Sequence, residues 1–320
     1  MHEFELIKKY FSKLSKKSKG ALNLNDDVFF DKSSNIVVSI DTYNVRKHFF
    51  NFKNPDLVIK KVIRSSISDL ICKGVKPKYY FLSGSGNRKA FTKNNLSKIS
   101  KSLKEEQKKY NIILGGGDTV FSNKLSFTVT SIGFAKKIVY RNKSNILDDI
   151  YVTGNLGDSF LGLLVLKNKI KIDNKLSNYF INQYYKPEIK YSLVSYLNKF
   201  ATSSIDLSDG LISDLEKLTN NQNNSYQLFL NKIPISNNLK LVISSKNLLK
   251  KNFVSKGDDY QILFTTNKSH RSFIKKISLL KKIKITRIGK ILHSKHKSSI
   301  IDRNGRQIKI INKGYLHTFD

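Results

Sequence analysis

Thr202-Ser203-Ser204-Ile205-Asp206-Leu207-Ser208-Asp209-Gly210-Leu211 changes from strand-like to helical spacing across an acidic turn. Residues 202–205 read as a strand, Asp206 to Gly210 end it, and a helix starts at Leu211. Strand ends of this kind hold ligands in α/β proteins, because a glycine-bearing loop lets backbone approach a phosphate closely. Toward the C-terminus, strands are expected near 226–230, 261–265, 284–288 and 307–311. Toward the N-terminus lie a strand at 150–153, a helix at 158–167 and two helical stretches on either side of Pro187.

The first half repeats the pattern. A helix is expected over 4–18, and strands over 28–30 and 36–40 around a turn at 32–35. Pro55 suits a first helical turn, the spacing of 57–72 is helical, and Gly74 ends it. A strand at 78–82, an amphipathic helix at 94–110 and a short buried strand at 111–114 follow. That strand runs into Gly115-Gly116-Gly117-Asp118, and 125–135 alternates as a long strand. The basic, polar residues 137–148 read as a linker between an N-terminal domain (1–136) and a C-terminal domain (149–320). The expected class is α/β with α+β character, in two domains.

The 320 residues carry 58 Lys+Arg against 24 Asp+Glu, a formal charge of +34. With 39% hydrophobic residues the chain can bury a core, which excludes wholesale disorder. The longest apolar run, 160–166, is far short of the ~20 residues that span a bilayer, and a cytoplasmic location is expected. A single cysteine, Cys72, excludes an intramolecular disulfide framework and a Cys-based zinc cluster. The lysines are spread through nearly every segment, and no RNP motif, zinc finger or KH loop accompanies them. They read as a solvated, compositionally biased surface, with a basic nucleic-acid-binding protein as the alternative.

The acids are more informative. Eighteen are Asp and six are Glu. Asp26-Asp27, Asp41, Asp118, Asp206/Asp209 and Asp258-Asp259 are expected at strand ends or in the loops after them, with Asp69 in a helix. Single aspartates usually cap helices or start turns, and Asp209 before Gly210 would serve as an N-cap. Several converging carboxylates repel one another unless cations lie between them, which magnesium bridging nucleotide phosphates would supply. Gly115 to Gly117 would cradle a phosphate or allow a tight turn, and Gly84-Ser85-Gly86 reads as a flexible turn. No P-loop, Gly-x-Gly-x-x-Gly or Gly-x-Ser-x-Gly motif occurs, and the histidines lack metal spacing. Cys72 reads as core.

Taken in order, the motifs resemble the thiamine-monophosphate kinase family, of the aminoimidazole-ribonucleotide-synthetase-like superfamily. The marks are Asn25-Asp26-Asp27, Ser39-Ile40-Asp41-Thr42 with His48-Phe49, Ser68-Asp69-Leu70 with Gly74, and Gly116-Gly117-Asp118-Thr119. Arg141, Tyr151-Val152-Thr153-Gly154, Gly157-Asp158-Ser159, Ile205 to Leu211 and Gly257-Asp258-Asp259-Tyr260 follow. The resemblance extends from Phe4-Glu5-Leu6-Ile7 to Gly314-Tyr315. The resemblance implies a two-domain synthetase-like fold, dimerising through its N-terminal domain, and ATP- and Mg2+-dependent phosphorylation of thiamine monophosphate by direct in-line transfer. It implies metal ligands at Asp27, Asp41, Asp69, Asp118, Asp206 and Asp209, with Ser39 and Ile40 beside Asp41. Gly117, Asp118, Arg141 and Ser208 would contact ATP, and His48, Asp258 and Tyr315 the thiamine phosphate. No general base is expected, because the acceptor is already an anion.

Three positions depart from the family: Asn25 for glycine, Ile40 for threonine and Asp258 for glutamate. The alternative within the superfamily is an ATP-using enzyme with another acceptor. A selenophosphate synthetase would be expected to carry an N-terminal reactive cysteine, and Cys72 is not so placed.

Overall fold

The computed structural model describes residues 2–309 and 314–315. Two mixed sheets flank one buried helix. The first sheet has the order β1-β2-β5-β3-β4, from β1 (Phe29–Asp31), β2 (Ile36–Asn44), β3 (Pro77–Gly86), β4 (Ile113–Phe121) and β5 (Ser126–Phe134). Only β3 and β4 run parallel there. The second has the order β11-β8-β10-β6-β9-β7, from β6 (Asp149–Thr153), β7 (Ser203–Asp206), β8 (Asn224–Phe229), β9 (Ile262–Thr266), β10 (Ile285–His293) and β11 (Ser299–Ile301).

Helix α1 (Pro55–Cys72) decides how the halves meet. Pro55 occupies its first turn with Asp56 beside it, both suited to a helix start. Val58, Ile59, Val62, Ile63, Ile67, Leu70 and Ile71 are buried around its circumference, as in a helix covered on all sides. One side packs on β2 and β5; the other meets β7 and α4 (Asn174–Tyr185), after α2 (Lys93–Tyr110) and α3 (Asp158–Leu166). One apolar cluster therefore joins Ile59 and Ile63 to Tyr184, Leu193 and Phe264. Gly74, at φ +74°, ends the helix in the left-handed conformation.

Several sequence expectations change. The 4–18 helix reduces to an α-turn at Glu3–Leu6 and a π-turn at Ile7–Phe11. β2 continues through Asp41, and β3 through Gly84-Ser85-Gly86, so that segment is strand and not a turn. The 111–114 strand is neither short nor buried: β4 runs through Gly115, Gly116, Gly117 and Asp118 on an exposed edge. Backbone pairing to β3 overrides the poor strand propensity of glycine. At Gly117 a Cβ would stand 1.9 Å from the Leu82 carbonyl oxygen, so close strand approach requires glycine there. β11 went unrecognised. Of the expected 307–311 strand, Gln307 forms an isolated bridge with Ile301, and residues 310–311 lie outside the described residues.

Candidate active site

The inward alternation of β2 places Ser39, Asp41 and Tyr43 toward α1 and Ile40 on the opposite, outer face. Asp41 there meets Asp69 of α1 and Asp206 at the end of β7. Asp27, in the loop before β1, completes the group: carboxylate oxygens of Asp27, Asp69 and Asp206 all lie within 4.8 Å of one another. The Asp41 and Asp69 carboxyls face each other closely enough to perturb one another. Tyr43 Oη donates to Asp41 Oδ2 (3.1 Å) and Ser68 Oγ to Asp206 Oδ2. Burial raises the Asp41 and Asp206 carboxyls to about 6 each. Asp69 rises well above the carboxylate range, through burial first and then its neighbours Asp41 and Asp206.

Asp26 and Asp27 are held differently. Lys73 Nζ contacts Asp26 Oδ1 (2.7 Å) and Asp27 Oδ2 (2.6 Å). Arg141 pairs with both Asp27 oxygens, and its backbone N–H donates to Asp26 Oδ2 (2.9 Å). Arg141, expected at the nucleotide, thus lies against these carboxylates. It also lines a cavity of about 670 Å³ with Asp26, Phe30, Tyr140, Lys19 and Lys143, within the usual size range of ligand pockets.

The 206–211 turn is fixed by a residue that the sequence reading missed. Asp214, fully buried in α5 (Leu211–Leu218), accepts the N–H groups of Asp209 and Gly210 at 3.0 Å each. Gly210 is the N-cap of α5, and Asp209 instead forms an ion pair with Lys217. Two expected substrate residues dock on this turn. Asp258 donates its N–H to Ser208 O (2.8 Å), and Tyr315 its N–H to Asp209 O (3.0 Å). A Cβ on Gly257 would stand 1.9 Å from Ser208 O, so the two loops touch through backbone.

His48 approaches from the other side. Its Nδ1 accepts the Asn44 N–H (2.9 Å), and its carbonyl accepts the Tyr184 hydroxyl (3.4 Å). Tyr184 stacks under Lys61 Nζ (3.8 Å to the ring centre), and that ammonium binds Asp258 Oδ1 (2.7 Å). His48, Asp258, Ser208, Tyr315 and the carboxylates thus belong to one continuous set of contacts. Gly117 and Asp118 do not join it within the chain. Asp41 pairs with Val129, Val129 with Leu82 and Leu82 with Gly117, which is three strand spacings or ~14 Å. Asp259, by contrast, is structural: it accepts the Gly157 N–H at 2.8 Å.

The sequence reading also missed Lys61 and Lys73. The signal was present: 61, 65, 69 and 73 recur every four residues and share one face of α1, so counting from Asp69 reaches both lysines. The carboxylates suit a hard divalent cation. Asp206 is buried and Asp41 and Asp69 are partly buried beside it, and among the described residues none of them makes an ion pair. A cation bound among them would relieve that repulsion.

A family model described as "AIR synthase related protein, N-terminal domain" matches residues 24–135. The thiamine-monophosphate kinase of Buchnera aphidicola subsp. Acyrthosiphon pisum is 36% identical over 98% of this chain and 98% of that protein. That of Haemophilus influenzae is 33% identical over 91% and 89%. The structure of AaThiL complexed with AMPPCP and TMP superposes with a TM-score of 0.85 at 25% identity, covering 99% of this chain and 97% of that one. With this carboxylate-lined site and full-length identity above the level at which only the fold is shared, the chain belongs to the thiamine-monophosphate kinase family.

Proposed function

We propose that this chain transfers the terminal phosphoryl group of ATP to the phosphate of thiamine monophosphate, giving thiamine diphosphate. The observation that carries the reading is the convergence of Asp27, Asp69 and Asp206 from three separate segments, in a chain that matches these kinases from end to end. Asp41, Asp69 and Asp206, with Asp27 and the Ser39–Ile40 backbone at the rim, are the residues that would hold Mg2+, and Asp209 is a further candidate beside Lys217. When bound, Mg2+ offsets the negative charge that two phosphate groups bring together.

The protein's own contribution is positioning. Arg141 sits where a guanidinium reaches both the carboxylates and the 670 Å³ cavity, which has room for a nucleotide's base and ribose. Ser208 flanks the same turn. His48, Asp258 and Tyr315 approach from the acceptor side, the last two on segments tied to that turn by backbone hydrogen bonds. Fixing donor and acceptor in line supplies much of the rate enhancement in such transfers, and an anionic acceptor requires no base. The N-terminal residues 1–136 and C-terminal residues 149–320 act as the two units that close on the substrates, and the enzyme works in the cytoplasm, where ATP is available.

The active form is a homodimer. β4 leaves a nine-residue edge unpaired, with Ile113, Leu114, Val120 and Phe121 exposed. The outer face of the same sheet exposes Ile40, Tyr79, Phe81 and Phe134. Long apolar edges of this kind are normally covered. A second copy covering this face would also bring Gly117 and Asp118 toward another chain.

Purified protein incubated with ATP, Mg2+ and thiamine monophosphate should form thiamine diphosphate. Absence of product at every Mg2+ concentration would overturn the reading.

A further inference from the structure

Lys73 follows the last residue of α1 and has no solvent exposure. Its ammonium has three N–H groups and finds three acceptors: Asp26 Oδ1 at 2.7 Å, Asp27 Oδ2 at 2.6 Å and the Ser204 carbonyl at 2.7 Å. Those acceptors come from the loop before β1 and from β7, two residues ahead of Asp206. The lysine thus links the segments that deliver Asp27 and Asp206 to the end of the helix that delivers Asp69.

Charge divides the site in two. Asp26 and Asp27 face Lys73 and Arg141, two cations for two carboxylates, and every oxygen of the pair is in a hydrogen bond or ion pair. Asp41, Asp69 and Asp206 face one another and hydroxyl groups. A cation placed in the first group would compete with an ammonium held by three bonds, whereas in the second it would meet three carboxylates that make no ion pair among the described residues.

We propose that Lys73 is a permanent cation of this site: it holds the Asp26–Asp27 pair where a further divalent ion would sit and leaves Mg2+ to the side where Asp41, Asp69 and Asp206 converge, with Asp27 at the boundary between the two. Lys73 is a positioning residue, acting on Asp27 and not on a substrate. The inference rests on the metal reading above, but its test requires no turnover, so failure of the kinase assay would leave it standing.

The experiment counts ions on the full chain without nucleotide, using Mn2+ as a paramagnetic probe and Mg2+ in calorimetry. Lys73→Met should bind about one more ion per chain than the wild type, because two carboxylates become available together. Its melting temperature should fall by several degrees in chelator and return toward the wild-type value in Mg2+. Lys73→Arg keeps the charge and should keep the wild-type count. Asp26→Asn, which removes a partner of the lysine and no metal ligand, should also leave the count unchanged. An unchanged count in Lys73→Met would overturn the proposal, as would a melting loss that Mg2+ does not repair or an ion lost in Asp26→Asn. If Lys73→Met does not fold without metal, the count is made on Lys73→Gln purified in Mn2+, with the same outcomes.

Discussion

Lys61 Nζ lies 2.7 Å from Asp258 Oδ1, joining the buried helix α1 to the loop of the C-terminal half that carries an expected substrate residue. The ammonium is 1% exposed and the carboxylate 27%, and the Tyr184 ring supports the cation from below. Asp258 is one methylene shorter than the glutamate of the family, yet it reaches this lysine and the Tyr260 hydroxyl (3.2 Å). Lys61→Met removes one partner of a largely buried pair. It should destabilise the chain by about 3 kcal/mol, at the lower end of the usual range because Asp258 retains some water. Denaturant titration measures this loss, and Lys61→Met/Asp258→Asn should recover most of it. If the pair positions the acceptor loop, KM for thiamine monophosphate rises more than kcat falls.

The acidic group predicts an inverted pH dependence for the metal-free protein. Asp41 and Asp206 titrate near 6 when folded, against 3.8 ordinarily. Between those values the folded chain binds more protons than the unfolded chain, so stability falls as pH rises from about 4 through 6 and levels off above. One such group corresponds to about 3 kcal/mol, and the coupling between them prevents simple doubling. Melting curves in chelator should show a lower midpoint at pH 7 than at pH 5. Saturating Mg2+ should flatten the dependence. A chelated protein that is more stable at pH 7 would contradict the electrostatic account.

Removing one of these carboxylates separates function from folding. Asp69→Asn should abolish turnover, since it faces both Asp41 and Asp206. In chelator at pH 7 the variant should be at least as stable as the wild type, because a buried like-charge contact has gone. Mg2+ should no longer raise its melting temperature. Asp41→Asn should behave in the same way. Either variant turning over at near-normal rate would remove that residue from the metal set.

Much of this site was legible because its chemistry lies in short local words. Asp206 to Gly210 reads as strand, turn and helix start, and the structure has β7, the turn and α5 there. Asp69 stands out as an acid within an apolar helical pattern. What escaped depends on distant partners. Lys61 and Lys73 looked like two more lysines among many, since only the packing of both halves on α1 buries them. The 113–121 segment was misread because strand character there comes from pairing with β3, while its own glycines argue for a loop. Asp214 was invisible as a structural anchor, because its partners are the backbone N–H groups four and five residues earlier.

Asp118 poses the sharpest test of the dimer. Its carboxylate is on the exposed edge strand and accepts its neighbour's N–H from Thr119 (2.8 Å), ~14 Å along the sheet from Asp41 in its own chain. Side chains do not bridge that distance, so sharing an ion with the Asp41 group requires the Asp118 of a second copy. Phe121→Glu, which places a charge at a position 74% exposed on the same edge, should shift the protein toward monomer in sedimentation and lower turnover together. Asp118→Asn should leave the metal-free melting temperature unchanged and abolish turnover. Mixing inactive Asp118→Asn with inactive Asp69→Asn, followed by subunit exchange, should restore activity, because one site of the mixed dimer then combines an intact Asp69 with an intact partner Asp118. If the exchanged mixture stays inactive, Asp118 does not act across the interface. If Asp118→Asn alone turns over normally, it is not a site residue.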